Sequence, residues 1–310
     1  MSTPLVTIAI PAYKTQYIDI AIRSALNQTY DNIEIIIVDD CSSNDVKSVV
    51  DSFASDKIKY FRNDVNLGAS DPSINWNKCL ELANGEYLSL LCDDDAYAPT
   101  YIEEMVTLTN KYPEADIFRC GVRILDGNQE TIGLFPLAPE HESIEEYIWH
   151  LHSGNNRQTI SEWMLRTSKL RKIGGYINAH KAWGSDAMTI FSLGRTSEVI
   201  TSPYRLVCFR MSDINITGME KSFIREKVLG WNHQCEMAAE IINSSKNDYK
   251  NIISKEIWKD HKRWTRNLLK QGTFSELVSL YKIKKSCHIK SKWFVKPFFY
   301  VLLRSLHLKK

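Results

Sequence analysis

Short apolar runs alternate with stretches of helical spacing along the first hundred residues. Leu5-Val-Thr-Ile-Ala-Ile10 has the character of a strand buried on both faces, stopped by Pro11. Residues 15–29 then carry Ile18, Ala21, Ile22, Ala25 and Leu26, the spacing of one helix face. Ile33 to Val38 reads as a second buried strand ending in Asp39-Asp40. Ser42 or Ser43 caps a helix running to Phe53, and Lys57 to Phe61 forms a short third strand. Asn66-Leu67-Gly68 marks a turn, and a helix follows over 73–83. A strand at 86–91 leads into Asp93-Asp94-Asp95, and another helix opens at Pro99. Strands alternating with helices predict an α/β fold with a Rossmann-like, mostly parallel, doubly wound central sheet flanked by helices.

From 113 to 210 the pattern is mixed. Residues 115–120 and 122–125 read as strands with Asp126-Gly127 as a turn, and residues 139–172 as mainly helix and loop. Gly174-Gly175 breaks the chain before the polar stretch 178–181 and Trp183-Gly-Ser-Asp186. Residues 219–285 read as helices, with Trp258, His261, Trp264 and Leu268 at helical spacing and both tryptophans expected in the core. The expected division is an α/β domain over 1–218 and a C-terminal helical region over 219–310.

In a doubly wound sheet, ligands bind outside the carboxyl ends of the strands. Pro11–Tyr13, Asp39-Asp40, the Asn66 turn and Asp93–Asp95 all follow predicted strands, so they should converge on one rim. Three adjacent carboxylates repel one another, and a divalent cation among them relieves that repulsion. Carboxylate oxygens suit Mg²⁺ or Mn²⁺, which usually share coordination with substrate phosphates. Taken singly, each feature has a plainer reading: an acidic loop, a helix cap at Asp39-Asp40, a turn shaped by Asn66 and Gly68.

The charge of the 310-residue chain changes the picture at its far end. Lys and Arg total 39 against 37 Asp and Glu, yet residues 1–220 hold 19 against 30 and residues 221–310 hold 20 against 7. After Glu276 there are nine Lys and Arg and no acid, interleaved with Trp293, Phe294, Phe298, Phe299 and Tyr300. That mixture suits an anionic membrane surface. No recognisable nucleic-acid motif accompanies it, and no nucleic-acid partner is expected. Seven dispersed cysteines without a CxxC pair, the lack of signal-peptide character in Met1–Leu5 and the lack of a spanning apolar run predict a cytoplasmic protein. With the tail, the expectation is a peripheral one on the cytoplasmic face of the inner membrane.

Taken together, Val6–Tyr13, Ala25-Leu-Asn-Gln28, Ile37-Val-Asp-Asp40, Asn66-Leu-Gly68 and Ala83-Asn-Gly-Glu-Tyr87 resemble family 2 glycosyltransferases of GT-A fold. The likeness covers residues 4–110, is looser over 160–218 and is absent beyond. It implies an inverting enzyme that moves a hexose from a nucleotide-diphosphate sugar, a UDP-sugar by preference, with Mn²⁺ or Mg²⁺ on the acidic motif. The acceptor is expected to be a lipid-linked or oligosaccharide chain in O-antigen, capsule or other surface polysaccharide synthesis. By position, Pro11, Ala12 and Tyr13 would line the nucleoside pocket. Asp40 would accept from uracil N3–H with Asp39 in support, and Asn66, Gly68 and Asn77 would complete the nucleotide contacts. The family's pair of spaced aspartates falls on Cys92 and Asp94, so the first is missing here. Asp94 is then the best metal ligand, with Asp95 beside it, while Asp93 is placed at the ribose or a metal-bound water. Trp76 stands where the family often has Arg. Asp186, 92 residues beyond Asp94, is the expected general base, Arg210 a basic residue steadying the diphosphate, and Arg166 a residue near the acceptor side.

Two other readings remain at this level. A sugar-phosphate nucleotidyltransferase usually needs a glycine-rich loop after its first strand, where this chain has Pro11-Ala-Tyr-Lys-Thr15. A catalytically silent nucleotide-sugar-binding relative is suggested by Cys92 and opposed by the retention of Asp94, Asp95 and Asp186.

Overall fold

The computed structural model describes residues 3–211 and 223–307, with side chains as far as residue 301. The chain opens with β1 (Val6–Ala12), α1 (Ile18–Leu26), β2 (Ile33–Asp39), α2 (Val46–Asp51), β3 (Ile58–Arg62), α3 (Ser73–Leu82) and β4 (Tyr87–Leu90). It continues through β5 (Ala96–Tyr97), α4 (Tyr101–Lys111), β6 (Ile117–Leu125), β7 (Thr131–Leu134), β8 (His141–Glu142) and α5 (Ile144–Ser153). Next come β9 (Trp163–Arg166), α6 (Thr167–Lys172), α7 (Ser185–Gly194) and β10 (Val199–Arg210). The C-terminal helices are α8 (Ile224–Ser244), α9 (Lys250–Leu269), α10 (Phe274–Lys282) and α11 (Val295–His307).

One sheet runs β3-β2-β1-β4-β9-β6-β10-β5, with β7 on β6 and β8 on β10. The first four strands are parallel. Beyond them the sheet is mixed: β9 runs antiparallel between β4 and β6, and β10 runs parallel to β6. Helices cover both faces, which is why β1 and β2 read as mostly apolar runs, interrupted by the buried pair Thr7 and Glu34. Ile8, Ile10, Ile35 and Ile37 point into a core shared with Ala21, Ile22 and Met105. The alternate residues Ala9, Ile36 and Val38 point into a second core with Trp76, Tyr147 and Phe191.

Pro11 does not end β1; it lies inside the strand opposite Val38. Ala12 O accepts from Asp40 N on the β2 side, so the position of Pro11 faces β4, whose pairing with β1 has already stopped at Ala9. A residue without an N–H is tolerated there. Asp45, not Ser42 or Ser43, caps α2 through Ser48 N; Ser42 instead donates its hydroxyl to Tyr13 O. The two strands expected over 115–125 are one continuous β6. β10 was not legible as a strand, because register shifts between Thr201 and Val207 interrupt its alternation. Trp258 is partly buried against the core, but Trp264 is exposed and only rests on Trp231, with ring centroids 5.6 Å apart.

The expected domain boundary near 218 falls at 212–222, outside the described residues. On its far side, α8 and α9 place Cys235, Ala238, Ile242 and Ile257 in the same core as α5 and α7. A buried His152–Asp260 contact of 3.2 Å joins α5 to α9. α10 and α11 form a separate cluster with the start of α8: Ile224, Val228, Leu277, Leu280 and Phe294.

Glu34 fastens the parallel half of the sheet from within. Its carboxylate accepts from Thr7 Oγ1 on β1 at 2.7 Å, from Asn84 N at 2.6 Å and from Lys59 Nζ on β3 at 2.8 Å. Burial alone would raise its pKa, but these donors outweigh burial and lower it to about 2. A carboxylate held low stabilises the fold above its ordinary pKa and loses that contribution as pH falls toward the folded value. Glu34→Gln should therefore cost about 2 kcal/mol at pH 7. In urea titrations the gap between the proteins should narrow as pH falls from 4.5 toward 2; a gap independent of pH would contradict this account.

Candidate functional site

The acidic turn follows β4 and is held from three directions. Asp93 Oδ2 accepts the backbone N–H groups of Tyr13 and Lys14, both at 2.8 Å, which pins the end of β1 to the turn. Asp95 accepts from Ser161 Oγ at 2.6 Å and from Arg210 N at 2.9 Å. Ser161 Oγ also accepts from Cys92 N at 3.1 Å. Arg210 Nε donates to Asp94 O at 3.0 Å, and its guanidinium lies 4.2 Å over the Tyr17 ring. Asp94 is left with a looser partner, Lys14 Nζ at 3.6 Å.

All three carboxylates are at most 7 % exposed. Burial and the neighbouring Asp94 charge raise Asp93 to about 6 and push Asp95 well above the ordinary carboxylate range. Burial and the same acids hold the Cys92 thiol neutral. Ligand atoms of Cys92, Asp94 and Asp95 lie within 4.8 Å of one another. Two carboxylates beside a neutral thiol fit a hard divalent cation through their oxygens rather than a soft metal through sulfur. Of the turn's members, Asp94 has the carboxylate least engaged by the protein.

The neighbouring rim residues share one network. Asp40 accepts from Asn63 Nδ2 and Leu67 N, each at 2.8 Å, and from Gly68 N at 2.7 Å. A Cβ on Gly68 would sit 2.8 Å from Asp40 Oδ2, so only glycine lets the turn close on this carboxylate. Asp39 lies behind it, bound to Ser42 N, to Tyr60 Oη at 2.6 Å and to Arg62.

Asp186 lies in the first turn of α7, where the helix dipole favours a carboxylate. Burial raises its pKa, opposed by hydrogen bonds from Ala187 N and from Gln158, whose amide oxygen accepts from Tyr147 Oη. Glu162 feels the Asp186 charge; burial raises this glutamate to about 8 despite Arg119 at 2.5 Å. Glu162 follows Ser161, so the Asp186 environment and the acidic turn meet through residues 158–162. The approach to α7 is strained, with Lys181 and Ala182 both at φ 58° and Gly184 at φ 84°.

Comparison with known sequences identifies the family. The sequence model of glycosyl transferase family 2 matches residues 7–191, more than half of the chain. The chain belongs to glycosyl transferase family 2. An uncharacterised glycosyltransferase of Rickettsia typhi is 36 % identical over 236 residues, covering 74 % of this chain and 71 % of the relative. One from Haemophilus influenzae is 36 % identical over 262 residues, 78 % of each chain. Escherichia coli WcaA, assigned by name to colanic acid biosynthesis, is 31 % identical over 146 residues, 44 % of this chain and 51 % of the relative. The Staphylococcus aureus TarS fragment 1–349, solved with UDP-GlcNAc, has the same fold at TM-score 0.66 and 12 % identity, covering 98 % of this chain and 91 % of that one.

Within this glycosyltransferase, the rim expected from sequence forms, but several side chains have other partners. Tyr13 is exposed at the rim, whereas the Ala12 side chain is wholly in the core and only its backbone borders the site. Asn66 is part-exposed at the turn that Asp40 holds. Asn77 clamps Tyr176, donating to its O at 2.8 Å and accepting from its N at 2.7 Å. Trp76 is core, edge-on to Tyr176. Arg210 is buried and fastens the acidic turn instead of facing an open cleft. Arg166 pairs with Asp116 and Glu86 at the opposite end of β4, away from the rim.

Lys14, Gln158, Ser161 and Asp71 were not picked out from sequence. Thr159 and Glu162 form a capping box around Ser161, a pattern readable in the chain. Asp71 accepts from Ser73 N and Ala179 N, and so fixes the segment leading to Asp186. On the other side of that segment, a Cβ on Gly230 of α8 would meet Trp183 O at 2.3 Å. Gly230→Ala must therefore displace the 180–184 loop, and should cost about 1–3 kcal/mol. Transferase turnover should fall by more than the nucleotide affinity does, as read by UDP titration and product release. Unchanged turnover in a folded variant would show that the loop has no part in the reaction.

Proposed function

We propose that this glycosyltransferase moves a hexose from a UDP-sugar to a sugar acceptor on a lipid carrier, with inversion at C1. It would act in the assembly of a surface polysaccharide such as O-antigen or capsule, on the cytoplasmic face of the inner membrane. The observation that carries the reading is Asp186, a carboxylate with a raised pKa at the head of a helix, linked through residues 158–162 to the acidic turn. Support for a nucleotide-sugar donor comes from TarS, solved with UDP-GlcNAc. The same fold occurs in the Pyrobaculum calidifontis mannosyltransferase PcManGT, solved with GDP-Man and Mn²⁺, at TM-score 0.60, 14 % identity and coverage of 100 % of this chain and 89 % of that one. WcaA supports the pathway class.

In this reading Asp40 has accepted three donors and retains room for one more, the N3–H of uracil. The exposed Tyr13 ring borders the nucleoside. Asp94, with Asp95, would hold Mn²⁺ or Mg²⁺, which when bound neutralises charge on a leaving diphosphate. Asp186 takes the proton from the acceptor hydroxyl; the acceptor oxygen bonds to C1 as the C1–O bond to the diphosphate breaks. A base with a raised pKa accepts that proton more readily than an ordinary aspartate. No covalent enzyme intermediate is needed.

Asp186→Asn should lower turnover about a thousand-fold while UDP affinity stays within a factor of two or so. Equal activity in variant and parent would remove Asp186 from the mechanism. Mn²⁺ should tighten UDP binding above pH 7. The effect should weaken on acidification, as the buried carboxylates of the turn, whose pKa values are raised, take up protons, and should be absent in Asp94→Asn. Calorimetry showing the same UDP affinity with and without Mn²⁺ at pH 8 would count against the cation site.

A further inference from the structure

The last helix has two different apolar faces. One packs inward: Phe298 stands 5.8 Å from Phe274, beside Phe294, which just precedes the helix and is buried against α10, edge-on to Tyr281 at 5.2 Å. The other faces outward. Val295 and Phe299, one helical turn apart, are 67 % and 57 % exposed, and Tyr300 beside them is 44 % exposed. Leaving such residues in water has no benefit for the fold, since the inward face already anchors the helix.

Along the chain leading into this ridge the exposed charged side chains are lysines, with the acid Glu236 approaching only His288 between them. Lys282, Lys285, Lys290, Lys292 and Lys296 are all exposed, and no Asp or Glu occurs after Glu276. We infer that the outward face of α11, with the lysines flanking it, is a docking surface for an anionic lipid bilayer, on which the helix lies in the plane of the headgroups. This names the membrane contact of the function proposed above and rests on that reading. Two arguments favour lipid over protein as the occupant. Two copies meeting through this face would bring like charges together, whereas anionic headgroups complement them. Protein interfaces are depleted in lysine, whereas a ridge of aromatic and aliphatic residues rimmed by lysine is the pattern of helices at the lipid interface. No helix among the described residues is long and apolar enough to cross a membrane.

The position of the ridge links it to the reaction site. α10 meets α8 through Ile224 N to Glu276 Oε1 at 2.9 Å and Arg225 Nε to Ser279 Oγ at 3.0 Å. The same α8 carries Lys227, 4.9 Å over the Trp183 ring, and Gly230 against Trp183 O. One helix therefore connects the docking end to the loop preceding Asp186.

The test is flotation of the full chain with vesicles of phosphatidylglycerol and phosphatidylcholine, or of phosphatidylcholine alone. The protein should float with the anionic vesicles, remain behind with the neutral ones and release as salt rises. V295E/F299E, at exposed positions, should keep the thermal midpoint and lose at least ten-fold in vesicle affinity; K292E/K296E should lose binding and its salt dependence together. Binding unchanged in V295E/F299E, or absent in the parent, would overturn the inference. So would a parent dimer that V295E/F299E separates while vesicle binding persists, because the face would then join two copies. UDP titration in the same samples separates this from the donor reading: a parent chain that binds UDP but floats with neither vesicle sinks the docking surface alone.

Discussion

Three consecutive buried carboxylates at the end of β4 are the constraint around which the site is built. Two unit charges about 5 Å apart repel by roughly 3 kcal/mol at the effective dielectric of a protein. The chain answers with partners drawn from distant segments. Amides at the end of β1 hold Asp93, and Ser161 and the backbone of Arg210 hold Asp95. Burial also leaves Asp95 disposed to keep a proton, which reduces the charge before any cation arrives. Asp94 alone retains a loosely held carboxylate. The repulsion thus does structural work, because each partner recruited to relieve it ties β1, β10 or the 158–162 segment to the same rim.

The far side of the site depends on a different constraint, the immobilisation of a strained loop. Residues 175–184 lie between α3 and α8. From α3 they are gripped by Asn77 on both polar groups of Tyr176, and from the residues before it by Asp71 on Ala179 N. From α8, Gly230 allows the Trp183 carbonyl to approach closely, and Gln234 crowds Gly184. Backbone at positive φ for Lys181 and Ala182 persists only where the surroundings over-determine it. The C-terminal helices are therefore part of the scaffold that sets the direction of Asp186.

Most of the α/β half was legible because its strands are covered on both faces. Apolar runs such as Ile33 to Val38 have few other structural meanings, and a strand end followed by a polar turn points to the rim. Asp40 and the Asn66–Gly68 turn were expected to converge, and a hydrogen-bond network joins them. The second half was less legible for identifiable reasons. β10 carries bulges that break its period. Arg210 was placed at the diphosphate by resemblance alone, and nothing in the sequence signalled the carbonyl partners that bury its guanidinium. Gly230 within a helix looks like a local defect until the carbonyl opposite it is seen. Asp186 was singled out through resemblance and spacing, whereas the residues around it, Gln158 and Tyr147, come from segments with no sequence signal pointing at it.

Charge separation along the chain connects these two ends of the molecule. The first 220 residues carry more acid than base and the last 90 the reverse. On an anionic surface at physiological salt, only groups within a Debye length of about 8 Å are attracted or repelled appreciably. The lysines beside α11 would be drawn to such a surface, while acidic stretches brought equally close would be pushed away, so that one end of the protein approaches first. Because α8 runs from α10 to the Trp183 loop, that orientation would bring the helix supporting the candidate base toward the surface that, in the proposed reading, carries a lipid-linked acceptor. The acidic rim, where nucleotide and cation would bind, belongs to the half that the same surface repels.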